Sequence, residues 1–195
     1  FSLPSKSELA DKPELPEGWF YIFLKDISEI VGRVNIKEKK PTESFLYLDI
    51  GGINNDKNII ESHKEYKWKD APSRAQQIVE VNDILFSTVR TYMKNIAMVE
   101  DEKFSNQVAS SGFTVVRALK GIINSNFLFK QLLSDAFIQP LNDLQTGSSY
   151  PAVRDTDVFN QIVPICSIDE QLFITQELDR KIPFWKIWRK LSIKT

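Results

Sequence analysis

One cysteine, one histidine and seven glycines in 195 residues leave little room for several kinds of chemistry. A lone Cys166 permits no intrachain disulfide, which fits a reducing compartment, and the residue is expected to serve as a small core side chain. With His63 as the only histidine, there is no Cys/His cluster to hold zinc and no histidine beside a nucleophile motif for acid–base work. His63 sits in a polar stretch and is expected to be solvated. The glycines form neither the phosphate-cradling Gly-x-x-x-x-Gly-Lys nor a Gly-x-Gly-x-x-Gly turn. An Asn-Pro-Pro-Tyr motif of the kind amino-methyltransferases carry is also missing. No apolar run approaches the roughly 20 residues needed to span a bilayer, and Phe1-Ser2-Leu3-Pro4 lacks the basic region of a secretory signal. A cytoplasmic protein without cofactor, resident metal or catalytic residues is expected.

An excess of charge is missing too, since the net charge is -1. Its distribution is uneven: Arg180, Lys181, Lys186, Arg189, Lys190 and Lys194 form a basic end with no acid among them, leaving 19 basic against 26 acidic residues in 1–179. A body this acidic binds a polyanion only by gathering its cations on one face. Length and a hydrophobic content of 42% allow one full core and little more.

What is present reads as a mixed α/β fold. Residues 1–14 are polar and proline-punctuated, an irregular lead-in. Residues 20–23 form a short apolar strand. Leu24, Ile27, Ile30 and Val31 then recur at helical spacing with Gly32 as a stop. Residues 45–50 read as a strand, and 53–75 as an extended loop or irregular hairpin in which Tyr66 and Trp68 stand among Lys64, Lys67 and Lys69. Residues 84–89, 96–99 and 112–116 are β-branched or apolar runs separated by turn formers. A helix capped by Asn124 or Ser125 carries Phe127, Leu128, Leu132 and Phe137. Ser167-Ile168-Asp169-Glu170 fits a capping box that opens a last helix, which Pro183 should kink or end. Ile174, Leu178 and Ile182 form one stripe of this helix, and Phe184, Ile187, Trp188 and Leu191 a second beyond the proline. Packing on the protein's own body, docking on a second copy or partner helix, and a membrane-surface role all fit such stripes.

Two groups of residues invite a functional reading. Asp49 with Glu65-Tyr66-Lys67 imitates the Asp and Glu-x-Lys of metal-dependent nucleases, where two carboxylates hold a cation and the lysine assists water. Glu38-Lys39-Lys40 repeats the pattern, and 65–67 lacks a convincing strand signature, so the match reads as coincidence. Arg90, Thr91, Tyr92, Lys94 and Asn95 instead place a guanidinium, hydroxyls, an ammonium and an amide on one loop, types that grip phosphate or read guanine and adenine edges. Pairing of Arg90 with Asp83 and core capping by Tyr92 are the structural alternatives. The 147–150 loop, with Ser148, Ser149 and Tyr150, suits close approach to a phosphate and is also ordinary loop composition.

Five segments in order resemble one half of the DNA specificity subunit of type I restriction-modification systems. Leu15-Pro16-Glu17-Gly18-Trp19 and Leu24-Lys25-Asp26-Ile27 resemble the family's opening. Residues 82–90 resemble its Gly-Asp-Ile-Leu-x-Ser-x-Val-Arg stretch, and 110–117 its Ser-x-Gly-Phe-x-Val-Leu-Arg strand. Gly147-Ser148-Ser149-Tyr150-Pro151 resembles its Gly-Ser/Thr-x-Tyr/Phe-Pro loop, and Asp169-Glu170-Gln171 the start of its long helix. Asn82 stands where the family has glycine, Cys166-Ser167 where Pro-Pro is common, and Pro183 inside the long helix.

The resemblance implies a target-recognition body over 15–166 with a curved mixed β-sheet and flanking helices, followed by a helix region over 167–195 used for docking or dimerisation. It implies a non-catalytic chain that reads one part of an interrupted double-stranded DNA target. The expected partners are DNA methyltransferase subunits, a restriction subunit, and a second recognition domain or second copy. The expected DNA face joins the 90–95 loop, the 147–150 loop and the aromatic-basic segment 64–74 with Arg74. A small nuclease using Asp49, Glu65 and Lys67, or an interaction module acting through the last helix, are the alternatives.

Overall fold

A computed structural model describes residues 2–191, with side chains through Lys181. Its strands are β1 (Phe20–Phe23), β2 (Ser28–Glu29), β3 (Ser44–Leu48), β4 (Ile53–Asn54), β5 (Ile59–Ile60), β6 (Lys64–Lys67), β7 (Ala75–Val79), β8 (Ile84–Ser87), β9 (Ile96–Met98), β10 (Gln107–Ser110), β11 (Phe113–Ala118) and β12 (Ile162–Ile165). Its helices are α1 (Ser125–Leu132), α2 (Asp135–Leu144), α3 (Asp155–Phe159) and α4 (Ile168–Leu191). The mixed α/β class is as read from the sequence, with the strands divided among several sheets. One four-stranded sheet, β6-β3-β10-β7, is mixed, because β3 and β10 run parallel; the other, β2-β11-β8-β9, is antiparallel.

The unbroken apolar character of β8 and β9 has a simple cause. Their side chains alternate between two cores: Ile84, Phe86, Ile96 and Met98 face the helices, while Leu85 and Ala97 face Leu48, Val79 and Ala109 of the mixed sheet. A central sheet buried on both faces shows no polar alternation. The layers are therefore helices, antiparallel sheet and mixed sheet. The chain passes from one sheet to the other at Ser111-Gly112, where the Gln77 side chain donates to the Ser110 and Phe113 carbonyls and staples the crossing.

The helix expected over 24–31 shrinks to one turn. Leu24 and Ile27 are fully buried on a single 3-10 turn, and Ser28 Oγ closes the turn on the Leu24 carbonyl. Pairing of β2 with β11 then captures the chain in an extended form, and Ile30 is left wholly exposed. The single helix expected from residue 124 is two. Asn124 caps α1 and Ser134 caps α2, each side chain accepting from the backbone N–H three residues on. Pro183 does not end the last helix, for α4 runs across it to Leu191. A proline removes one backbone bond of the ladder, and a long helix survives its loss.

One buried ion pair ties β8 to β11. Arg117 Nε and Nη2 donate to Asp83 Oδ1 and Oδ2 at 2.7 and 2.8 Å, and Oδ2 also accepts the Glu80 N–H at 2.8 Å. The hydrogen bond to Asp83 raises the Arg117 pKa above its ordinary value. Asp83 is thus committed to Arg117 and not to Arg90. The neighbouring Asn82 has φ of 73°, a left-handed conformation that asparagine tolerates, as glycine does, so asparagine can stand where the resembling pattern has glycine. Asn82→Gly is expected to stay within about 1 kcal/mol of the parent in thermal denaturation, whereas Asn82→Val should lose about 1–2 kcal/mol. Equal stability of the two variants would remove this explanation.

Candidate functional site

The turn after β8 is held in an uncommon shape. Arg90 and Lys94 both have φ near +50°, at 50° and 51°, flanking a 3-10 turn over Thr91–Met93. Such residues persist where surrounding bonds over-determine them. Here Asn55 Nδ2 donates to the Met93 carbonyl, and Asn58 Nδ2 to the Lys94 and Ile96 carbonyls, so the β4–β5 hairpin braces the loop from one side. From the other side, Thr91 Oγ1 donates to Asn142 of α2, and Lys94 Nζ to the Leu133 carbonyl and Asp135. Gly52 opens this hairpin; a Cβ there would run into the Ser62 carbonyl.

The 147–150 loop is tied to the same place. Thr146 and Ala152 exchange two backbone hydrogen bonds that close the loop, Ala152 bridges to Val89, and Arg90 N–H donates to the Pro151 carbonyl at 2.8 Å. Gly147 turns the chain with φ of 97°. The Arg90 guanidinium lies 5.0 Å from the centre of the Tyr150 ring and donates from Nη2 to the Ser149 carbonyl at 3.1 Å. Tyr150 is nonetheless 72% exposed. Arg74, Arg90, Asn95 and Tyr150 line one open cleft of about 680 Å³, whose apolar bed includes Ile50, Ile53, Val89 and Met93. Two guanidiniums, one amide and one phenol on an apolar bed suit the edges of bases and sugars, while Ser148 and Ser149 present exposed hydroxyls beside it.

Other predicted site residues are elsewhere. Thr91 is buried and Lys94 is spent on α2, so both hold the loop in place instead of lining the cleft. Tyr92 is exposed and does not cap the core. The segment 64–74 does not act as one surface. Trp68 is buried and stacked on Phe45 at 4.1 Å, and Tyr66 packs against Tyr47. Lys64, Lys67 and Lys69 stand by β6 at one edge of the mixed sheet, and Arg74 precedes β7 at the other. Three strand spacings, about 14 Å, separate those edges.

Residues 65–67 do belong to a strand, contrary to the sequence reading, yet the nuclease arrangement is not assembled. Lys64, aligned with Tyr47 in the ladder, forms an ion pair with Asp49, so Asp49 lies on the face of Tyr47 and Tyr66. Glu65 and Lys67 alternate to the opposite face. Among the described residues no group of three His, Cys, Asp or Glu side chains could hold a metal ion. His63 is exposed, with its ring in a T-shaped contact with Phe104.

At α4 the motif residues turn out to be joints. Ser167 Oγ accepts the Glu170 N–H, but the reciprocal half of the expected box is not made: Glu170 Oε1 accepts from Trp19 Nε1 at 3.0 Å, linking the opening segment to the last helix. Gln171 is fully buried, donating to the Cys166 and Ile122 carbonyls and accepting from Asn124 N–H. Sequence reading offered no signal for this role beyond the Glu-Gln pair itself. Cys166 is a core residue as expected, and burial pushes its thiol pKa up to about 11. Ile174 packs against the main core, while Leu178 remains 39% exposed at an apolar groove beside Trp19 and Phe127. The side chains of Ile182, Phe184, Ile187, Trp188 and Leu191 lie outside the described residues. No helix among the described residues is long and apolar enough to cross a membrane.

The family described as type I restriction modification DNA specificity domain matches residues 16–183. The chain is 25% identical over 149 residues to the type I restriction enzyme EcoAI specificity subunit of Escherichia coli, covering 75% of this chain and 25% of that protein. The crystal structure of the HsdS subunit from Thermoanaerobacter tengcongensis is 33% identical with a TM-score of 0.84, over 94% of this chain and 47% of that one. A chain from a structure addressing complex assembly and conformational transition of the type I R-M system is 33% identical with a TM-score of 0.86, over 93% and 46%. The type I restriction-modification S subunit from M. genitalium, 13% identical with a TM-score of 0.52, shares the fold. The chain spans about a quarter of the curated relative and just under half of each solved chain.

Proposed function

The chain belongs to the type I restriction-modification DNA specificity domain family, and on that premise we propose that it is a non-catalytic body reading one part of a bipartite double-stranded DNA target. Residues 15–166 form the recognition body and 167–195 the helix region that docks or dimerises. The observation that carries the reading is the convergence of Arg74, Arg90, Asn95 and Tyr150, from three separate parts of the chain, on a single exposed cleft. Side chains that can read bases, on a strained turn held by hydrogen bonds from two directions, are preorganised for a rigid partner.

Methyl transfer and cleavage then reside in methyltransferase and restriction subunits, in the cytoplasm, and this chain needs no cofactor for its part. One body reads one half of the target. A second recognition domain or a second copy supplies the other half, and two-fold pairing of copies would make the target an interrupted palindrome.

The acidic body sets a quantitative expectation. Few cations reach the cleft, so the chain alone should bind duplex DNA weakly, and raising salt from about 50 to about 200 mM should weaken binding about ten- to a hundredfold, the slope for roughly two to four phosphate contacts. Fluorescence anisotropy with a labelled duplex measures this. Tight binding that ignores salt contradicts the reading.

A further inference from the structure

Within the proposed DNA face, whose reading this inference rests on, the polar side chains are not equivalent. Arg90 is already engaged: its guanidinium covers the Tyr150 ring and donates to the Ser149 carbonyl. Among the described residues, no hydrogen bond or ion pair holds the Arg74 guanidinium or the Asn95 side-chain amide. Both line the cleft. Their backbones are fixed, since the Arg74 carbonyl accepts from Ser111 N–H at 2.8 Å and the Asn95 carbonyl from Ser87 N–H at 3.2 Å. Fixed backbones with uncommitted planar hydrogen-bonding groups are what bidentate reading requires: Arg for the O6 and N7 of guanine, Asn for the N6 and N7 of adenine.

The bed of the cleft separates base reading from phosphate gripping. Phosphate sites gather cations, hydroxyls and backbone N–H groups. Ile50, Ile53, Val89 and Met93 offer none of these side-chain groups and instead suit a thymine methyl or the flat edge of a base. The exposed serines of the 147–150 loop and the lysines of the opposite sheet edge are the phosphate-type groups, and they lie outside this bed.

We propose that Arg74 and Asn95 are the base-reading residues of the face, and that Arg90 is a positioning residue that sets Tyr150 and the 147–150 loop against the DNA.

The full chain is incubated at low salt with duplex DNA carrying a randomised centre, and the bound fraction is sequenced. Wild type is expected to enrich a short motif. Asn95→Ala should flatten one position of it, and Arg74→Lys another, each by on the order of ten- to a hundredfold in base preference. Arg74→Lys is the sharper variant: it keeps the charge a phosphate contact needs and loses the two-pronged geometry that guanine needs. Arg90→Lys and Tyr150→Ala should lower affinity for all sequences, and the double variant should bind no worse than the weaker single one, because each change breaks the same stack. Thermal melts confirm folding, and Arg74→Ala and Asn95→Ser serve as second variants if either first choice fails to fold. Retention of the full motif by Arg74→Lys and Asn95→Ala, with wild-type DNA binding intact, overturns the assignment and leaves the DNA-reading function standing. Independent, additive losses for Arg90 and Tyr150 overturn the positioning role. If wild type enriches nothing, the proposed function itself falls, and this assignment with it.

Discussion

Arg117→Met is expected to lower the free energy of unfolding by about 3–5 kcal/mol, read as a shifted midpoint with unchanged slope in urea denaturation. The substitution keeps much of the side-chain volume and removes only the fork of donors. What remains is the Asp83 carboxylate, whose side chain is 1% exposed, with the Glu80 N–H as its one remaining partner among the described residues. Desolvation of an unpaired carboxylate dominates this number, and lost attraction is the smaller part. The double variant Asp83→Leu with Arg117→Met should therefore recover most of the loss, short only of the stranded Glu80 N–H. A stable single variant, or a double variant no better than the single, would show that this pair does not govern the β8–β11 junction.

Gln171→Leu is expected to lose about 3–5 kcal/mol, because three backbone groups, the carbonyls of Ile122 and Cys166 and the N–H of Asn124, lose their partner in a buried place at about 1–3 kcal/mol each. These groups belong to the entry of α1, the end of β12 and the start of α4, so one side chain holds three elements together. Gln171→Glu tests the mechanism through pH. Its carboxylate still accepts from Asn124 but faces two carbonyls, which raises the pKa of the introduced acid in the folded state. An acid whose folded pKa is raised destabilises above its unfolded pKa and recovers as pH falls below the folded one. The glutamate variant should therefore gain stability relative to the leucine variant between pH 7 and pH 5. A constant gap over that window would mean that the side chain is not buried against those carbonyls.

Much of the scaffold was legible because local rules and burial agree there. Strands β1, β3, β8, β9 and β11 show as apolar or β-branched runs, and the Asn124 cap shows as an amide placed before an apolar helix face. Apart from the locally capped break at Ser134, the failures occur where a distant partner overrules a local period. Leu24, Ile27, Ile30 and Val31 keep helical spacing, yet β11 draws residues 28–29 into a strand. Residues 64–67 alternate too weakly to read as a strand, and β3 makes them one by supplying a ladder and an aromatic surface for Tyr66. Glu170 fits a local box and is taken by Trp19, 151 residues away.

The candidate site divides in the same way. The 90–95 and 147–150 loops were readable as exposed polar loops, and they do meet. Arg74 was readable only as a member of a basic segment whose other cations lie across the sheet. Thr91 and Lys94 carry the right chemistry for DNA contact and spend it on α2. Nothing in a list of residue types tells a committed guanidinium from an uncommitted one.

Composition and spacing alone pointed to the mixed α/β class, to the lack of zinc-binding and phosphate-loop sequence motifs, and to five of the twelve described strands, while the order of the quoted motifs carried the family resemblance. Those properties depend on neighbours a few residues apart, and on periodicities that burial imposes on any chain. The tertiary structure decided which polar side chains share a cleft, which are consumed by the scaffold, and that Gln171 and Glu170 are joints. Such contacts join residues tens to more than a hundred positions apart, and a hydrogen bond across that separation leaves no periodic trace in either partner's neighbourhood.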